Sequence, residues 1–300
     1  SKKWLSFAQK ELEKEIYDQT FEDGWGFESS VPYHKLITEM FLYCYILGKN
    51  LEAPFSKSFE QRLFLMLKNL FIIAKPNNMI PQIGDNDSSK IFSFMPEASS
   101  LDLKEISILI NKNNININNT KQFGFFAFKN AGYYLYKSRN IYFLFNSGPE
   151  KLIGLGSHAH NDVFSFELNI NGKDIIVDPG SYIYTSNPKL RNHFRSVKSH
   201  NTLFWPSIEP RRINNGLFKM LDNGRRVIKF TDYKDEGFKL YGSYNFDNKF
   251  HNRSIFYEAK KHRFSIVDKV SHKDAIVNFN IAPNNDLKKT SSGFFVNNIN

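Results

Sequence analysis

The chain has 300 residues, 41% hydrophobic and 16% aromatic, enough for two modest domains with real cores. Lys and Arg outnumber Asp and Glu by 40 to 30, and the net charge of +10 favours anionic partners. The basic residues are scattered rather than gathered in a run, which argues against nucleic acid. A single cysteine, Cys44, excludes an internal disulfide framework and reads as a buried thiol, and no apolar run reaches the roughly 18 residues that span a membrane.

In chain order, residues 1 to 20 read as a helix, with Trp4, Leu5, Phe7, Ala8, Leu12 and Ile16 near helical spacing. Asp23-Gly24 and Gly26 break it. A second helix is expected after Pro32, ending at Gly48, and a third from Ser58 to Ala74 before Pro76. Short loops between such helices suit a helical array or toroid. Three helices are too few to close one, so the chain reads as a piece of something longer. Asp85 and Asp87 in the loop 76–90 invite a calcium reading, but a solvated turn is the simpler account. The Asn-rich stretch 111–122 is the expected linker.

From residue 123 onward the pattern changes to short strands, expected at 124–129, 132–137, 141–146, 163–170, 174–178, 226–231, 238–244, 253–259, 263–268 and 275–281. Turns every 8 to 15 residues argue for an antiparallel sandwich. The fold class is therefore α+β in two parts, helical over 1–110 and β over 123–300.

Four of the eight histidines fall between Gly156 and Thr202. Asn171-Gly172 predicts a two-residue hairpin turn that pairs Ser165 with Asp178. On a straight strand, His160 would then lie roughly 16 Å from Asp178, at about 3.3 Å per residue. A metal site at His160, Asp178 and His200 thus requires the segment around Gly154 and Gly156 to curl back. The alternative is a set of satisfied polar residues at a sheet end. Asn161 and Asp162 would support such ligands or cap a turn, Arg195 would anchor a carboxylate or a buried loop, and Asn161 and Arg195 are also candidate catalytic or substrate contacts.

The stretch GSHAHNDVFSFELNINGKDIIVDPGSY, followed by FRSVKSHNT, resembles the C-terminal domain of the heparinase II/III-like polysaccharide lyases, a group that includes alginate and oligoalginate lyases. DGWGFESSVPYH and PQIGDND resemble segments of the same family. The resemblance implies an incomplete α/α toroid followed by an antiparallel β-sandwich, with the cleft between them. It implies β-elimination on a uronate-containing acidic polysaccharide, at the periplasm or cell envelope. Tyr33 and His158 match the family's catalytic Tyr and His. His160, Asp178 and His200 match its ligands for a structural zinc. Tyr184 matches weakly a second tyrosine of the alginate-cleaving branch, and Glu28 and His34 flank Tyr33 as sugar contacts or helix caps. The family's carboxylate-neutralising Asn or His is expected upstream of Ser1. Two other readings stay open: a non-catalytic glycan-binding or surface-polysaccharide assembly protein, and a zinc hydrolase with metal-bound water at His160.

Overall fold

The computed structural model describes residues 2–117, 123–150, 152–213, 218–222, 224–233, 236–283, 285–290 and 293–298. Helix α1 spans Lys2–Asp18, α2 Val31–Asn50 and α3 Lys57–Ile73. Ser30 and Ser56 cap α2 and α3, accepting the amide protons of Tyr33 and Phe59. Helix α2 runs through Gly48, where the chain was expected to stop. An added Cβ there would lie 2.8 Å from the carbonyl oxygen of Ala53, so the glycine admits the returning loop. Cys44 is half-buried on α2 rather than sealed in the core. Trp4 and Phe7 of α1 are exposed, so the apolar stripe of that helix is only partly covered.

A fourth helix, α4 (Lys104–Lys112), takes the first two residues of the expected linker; residues 118–122 of that linker lie outside the described residues. The β part begins with an antiparallel five-stranded sheet of β1 (Gly124–Phe128), β2 (Tyr133–Lys137), β3 (Ile141–Asn146), β4 (Ser165–Ile170) and β5 (Lys173–Ile176), in that order. A short helix α5 (Pro188–Arg195) follows, then the short strands β6 (Leu203–Phe204), β7 (Arg211–Ile213) and β8 (Met220–Asp222). The second sheet is a meander of β9 (Arg225–Asp232), β10 (Gly237–Phe246), β11 (Lys249–Glu258) and β12 (Arg263–Val270). Strand β13 (Ile276–Val277) pairs β6, and β14 (Asn285–Thr290) pairs β15 (Gly293–Asn298).

Strands β2 and β3 are buried almost without interruption instead of alternating. The cause is that both faces of the first sheet are covered. Leu135, Tyr142 and Leu144 join the core formed by the helices. Tyr136, Phe143 and Phe145 face the second sheet, meeting Phe238, Leu240 and Tyr257. Trp25 fastens helices to sheet: it is 1% exposed and lies 4.3 Å from the His34 ring, 5.3 Å from Phe128 and 5.1 Å from Tyr133, centroid to centroid. Trp25→Ala is expected to lower stability by about 3–5 kcal/mol in urea unfolding. A loss under about 1 kcal/mol would show that the helices and the sheet do not depend on this contact.

Candidate active site

Tyr33 stands in the first turn of α2, fixed by the Ser30 cap and by Pro32. The loop 81–85 crosses directly beneath that helix start. The Val31 amide donates to the Ile83 carbonyl (3.0 Å), and the Ser30 hydroxyl donates to the Asp85 carbonyl (2.7 Å). The Asp85 amide donates in turn to the His158 carbonyl (3.0 Å). Gly84 makes this crossing feasible, with φ of +79° and a position where a Cβ would lie 2.8 Å from the Ser29 oxygen and 2.9 Å from the His158 oxygen. A short loop thus stitches the helical part to the histidine segment.

That segment curls as the metal reading required. Gly154 and Gly156 take positive φ, and so does Phe164 (φ +65°), an uncommon conformation for an aromatic residue. Its amide donates to the Asn146 carbonyl (2.7 Å), its carbonyl accepts from Arg253 (2.8 Å), and its fully buried ring packs 5.5 Å from Phe145. Those contacts hold the kink that sends 158–162 away from the line of β4. The hairpin turn forms with positive φ at Asn171 and Gly172, as expected. A bulge between Leu168 and Asn169 then shifts the register, so Leu168 faces Ile176 and pairing ends there. Asp178 therefore does not pair with Ser165. Its amide donates to the Glu167 carboxylate instead (3.2 Å).

Two adjoining clusters result. In the first, the Tyr33 and His158 rings stack at 3.7 Å with 15° between planes. The Tyr33 hydroxyl donates to the Tyr184 hydroxyl (2.7 Å), so the weakly matched Tyr184 does reach the site. Glu28 lies 3.5 Å from His158 Nε2. Tyr33, Tyr184 and Glu28 are half-buried, with edges open to solvent. Burial, then the bond to Tyr184 and the charge of Asp87, push the Tyr33 phenol far above its ordinary range. Burial raises the Glu28 carboxyl, partly offset by His158.

In the second cluster, the ligand atoms of His160, Asp178 and His200 all lie within 4.8 Å of one another, and all three residues are buried. His200 Nδ1 lies 2.8 Å from Asp178 Oδ2. His160 Nδ1 and His200 Nε2 are buried with no hydrogen-bond partner among the described residues. Two imidazoles and a carboxylate gathered in one small space, with one nitrogen of each ring unsatisfied among the described residues, suit a divalent ion such as zinc.

Asp85, expected in a solvated turn, is fully buried between the clusters. Its Oδ2 is 3.1 Å from His158 Nδ1, its Oδ1 is 3.1 Å from His160 Nε2, and Arg191 of α5 pairs with Oδ2. Burial pushes its carboxyl up, but the hydrogen bonds from both histidines and the charge of Arg191 hold it well below the ordinary carboxylate range. Arg191 also lies over the Tyr184 ring (5.4 Å) and the Phe218 ring (4.8 Å).

Three expected contacts take other roles. His34 is 1% exposed; its Nδ1 accepts the Gly26 amide proton (3.0 Å), so it holds the Trp25 loop and does not meet a sugar. Burial pushes its pKa down to about 3. Asn161 spends its amide on Glu209 (2.6 Å) and on the Arg211 carbonyl and amide (2.7 and 2.8 Å), all inside the protein. Arg195 is fully buried; its carbonyl accepts the Asn161 amide proton (2.9 Å), and burial followed by Arg191 pulls its guanidinium down to about 10. The Arg195 backbone thus anchors a buried loop, and Arg191 pairs with the Asp85 carboxylate.

Family models described as "Heparinase II/III N-terminus" and "Heparinase II/III-like, C-terminal" match residues 1–100 and 120–298. The chain belongs to the heparinase II/III-like family. Among curated proteins, this heparinase II/III-like chain is 28% identical over 288 residues to the heparin-sulfate lyase of Pedobacter heparinus, covering 90% of the chain and 40% of that protein. It is 24% identical to the heparin-sulfate lyase of Bacteroides thetaiotaomicron, covering 93% and 42%. The chain thus spans about two-fifths of the relatives' length. The crystal structure of the heparan sulfate lyase of Pedobacter heparinus superposes with a TM-score of 0.72 at 22% identity, covering 94% of this chain and 44% of that one. A crystal structure of heparinase III gives 0.75 at 21%, covering 97% and 49%. These likenesses carry the fold, a partial helical toroid followed by a β-sandwich. No helix among the described residues is long and apolar enough to cross a membrane.

Proposed function

We propose that this chain supplies the Tyr–His half of a polysaccharide lyase site that cleaves a uronate-containing acidic glycan by β-elimination. The stacked pair of Tyr33 and His158 carries the reading, because it brings a half-buried phenol hydroxyl and an imidazole together from two parts of the fold. His158 Nδ1 faces the Asp85 carboxylate, which leaves the Nε2 lone pair to take a proton. In the reaction, Nε2 removes the C5 proton of the uronate. The C5–H electrons form the C4=C5 double bond, the C4–O bond breaks, and the Tyr33 hydroxyl protonates the departing oxygen. Its raised pKa keeps Tyr33 protonated at neutral pH, as a general acid requires. The net charge of +10 suits an anionic polymer, and the relatives named heparin-sulfate lyases make a heparan-type glycosaminoglycan the first substrate to try.

A structural zinc held by His160, Asp178 and His200 belongs to the same reading. When bound, it supplies cross-linking of three loop residues rather than proton chemistry. The unsatisfied nitrogens of His160 and His200 support it.

The full-length protein, incubated with heparan sulfate, heparin and alginate, is expected to raise ultraviolet absorbance as unsaturated uronate forms. Absence of that chromophore across the panel, with glycan still bound, would favour a non-catalytic binding protein and overturn the lyase reading.

A further inference from the structure

We propose that Asp85 is the positioning residue that sets His158 and the metal ligand His160 at the same time. The inference deepens the lyase reading and rests on it for the role of His158. One carboxylate meets both imidazoles, with Oδ2 on His158 Nδ1 and Oδ1 on His160 Nε2, each at 3.1 Å. Arg191 pairs with the same carboxylate, and all four side chains are at most 10% exposed, so water does not replace any of these contacts.

A carboxylate paired with a guanidinium has only lone pairs to offer. Both histidine nitrogens that face it must therefore carry their protons. That single requirement sorts both rings. His158 becomes the Nδ1–H tautomer, and its Nε2 lone pair is left on the side of Glu28. His160 becomes the Nε2–H tautomer, and its lone pair is left on Nδ1, which has no hydrogen-bond partner among the described residues, in the residue that groups with Asp178 and His200. Carboxylates that hold a metal-bound histidine in this way fix ring orientation and raise ligand basicity. Here the same group also orients the proposed base. The backbone of Asp85 is clamped too, by Ser30 on one side and His158 on the other, so the carboxylate is not free to swing between its partners.

Asp85→Asn in the full-length protein tests the idea. The amide matches the carboxylate in size but offers one acceptor and one donor, so it satisfies one imidazole and opposes the proton of the other. The expected result is a fall in kcat of about 10²–10⁴-fold with KM nearly unchanged, as when a triad carboxylate is neutralised and the tautomer is lost. Zinc affinity, measured by chelator competition without substrate, is expected to fall about 10–100-fold. A fall in kcat with zinc affinity unchanged, or the reverse, overturns the joint role.

Nitrogen-15 imidazole spectra of the wild-type protein supply a second test that needs no folded variant. They should show His158 protonated on Nδ1 and His160 on Nε2. The opposite tautomer at either ring defeats the proposal. The zinc and tautomer readouts stand even if no glycan is cleaved, so a failed lyase reading and a failed Asp85 role are told apart.

Discussion

Tyr33→Phe in the full-length protein is expected to lower kcat by about 10²–10⁴-fold, the usual worth of a positioned general acid. The substitution removes one oxygen and leaves the ring. Stacking of that ring on His158 at 3.7 Å therefore persists, as do the Ser30 cap and Pro32 that place residue 33. What is lost structurally is the hydrogen bond to Tyr184, in a half-exposed position. Its net worth is about 0.5–1.5 kcal/mol, so the unfolding midpoint should barely move. Because the phenol proton is needed only as the glycosidic bond breaks, kcat and kcat/KM should fall together. Tyr184→Phe should cost less, since it removes only the group that accepts from Tyr33 at rest. Steady-state assay of the unsaturated product measures both variants. Wild-type turnover by the Tyr33 variant would end the case for this residue as the acid.

Contrasts within this site show what a sequence discloses about a fold. The hairpin at Asn171-Gly172 was legible because two positive-φ residues in a row constrain local geometry by themselves. The register beyond it was not, since the bulge at Leu168 and Asn169 answers to packing rather than to the turn. Tyr33 and His34 are adjacent and equally suited to chemistry. Successive residues on a helix point about 100° apart, however, so one stacks on His158 at a half-buried position while the other enters the core against Trp25. Asp85 was the largest omission. Its partners His158, His160 and Arg191 lie 73, 75 and 106 residues away, and a Gly-Asp-Asn-Asp loop has the composition of any solvated turn. Only the crossing of that loop under α2, made feasible by Gly84, turns a surface-type residue into a buried one. The place of Arg191 on the Asp85 carboxylate was hidden for the same reason. Arg191 and Arg195 share one face of α5 at i, i+4 spacing, and both are fully buried; which one meets a carboxylate depends on the loop opposite.

The metal proposal leads to the second large effect. Protein purified without chelator is expected to carry close to one equivalent of zinc, and His200→Ala to carry little. Removing His200 does more than remove a ligand. Asp178 has a side chain only 2% exposed, and His200 Nδ1 is its ionic partner at 2.8 Å. The variant leaves that carboxylate buried within reach of the charge of Asp162, itself 2% exposed. Breaking a buried pair by deleting one partner costs about 3–5 kcal/mol, so the loss should be plain in thermal or urea unfolding. Chelation of the wild-type protein separates the ion from the side chain, because it keeps His200 and takes only the metal. It should lower the unfolding temperature, and added zinc should restore it, with a shift that grows with the logarithm of free zinc. A structural ion also makes a kinetic demand. His160 and His200 are fully buried, and the candidate ligand atoms lie within 4.8 Å of one another, so loss of zinc should reduce turnover only as far as the loops lose their order. A metal-bound water acting as nucleophile would instead make turnover proportional to bound zinc even while the fold is intact. Metal far below one equivalent, together with unchanged stability in the His200 variant, would refute the site.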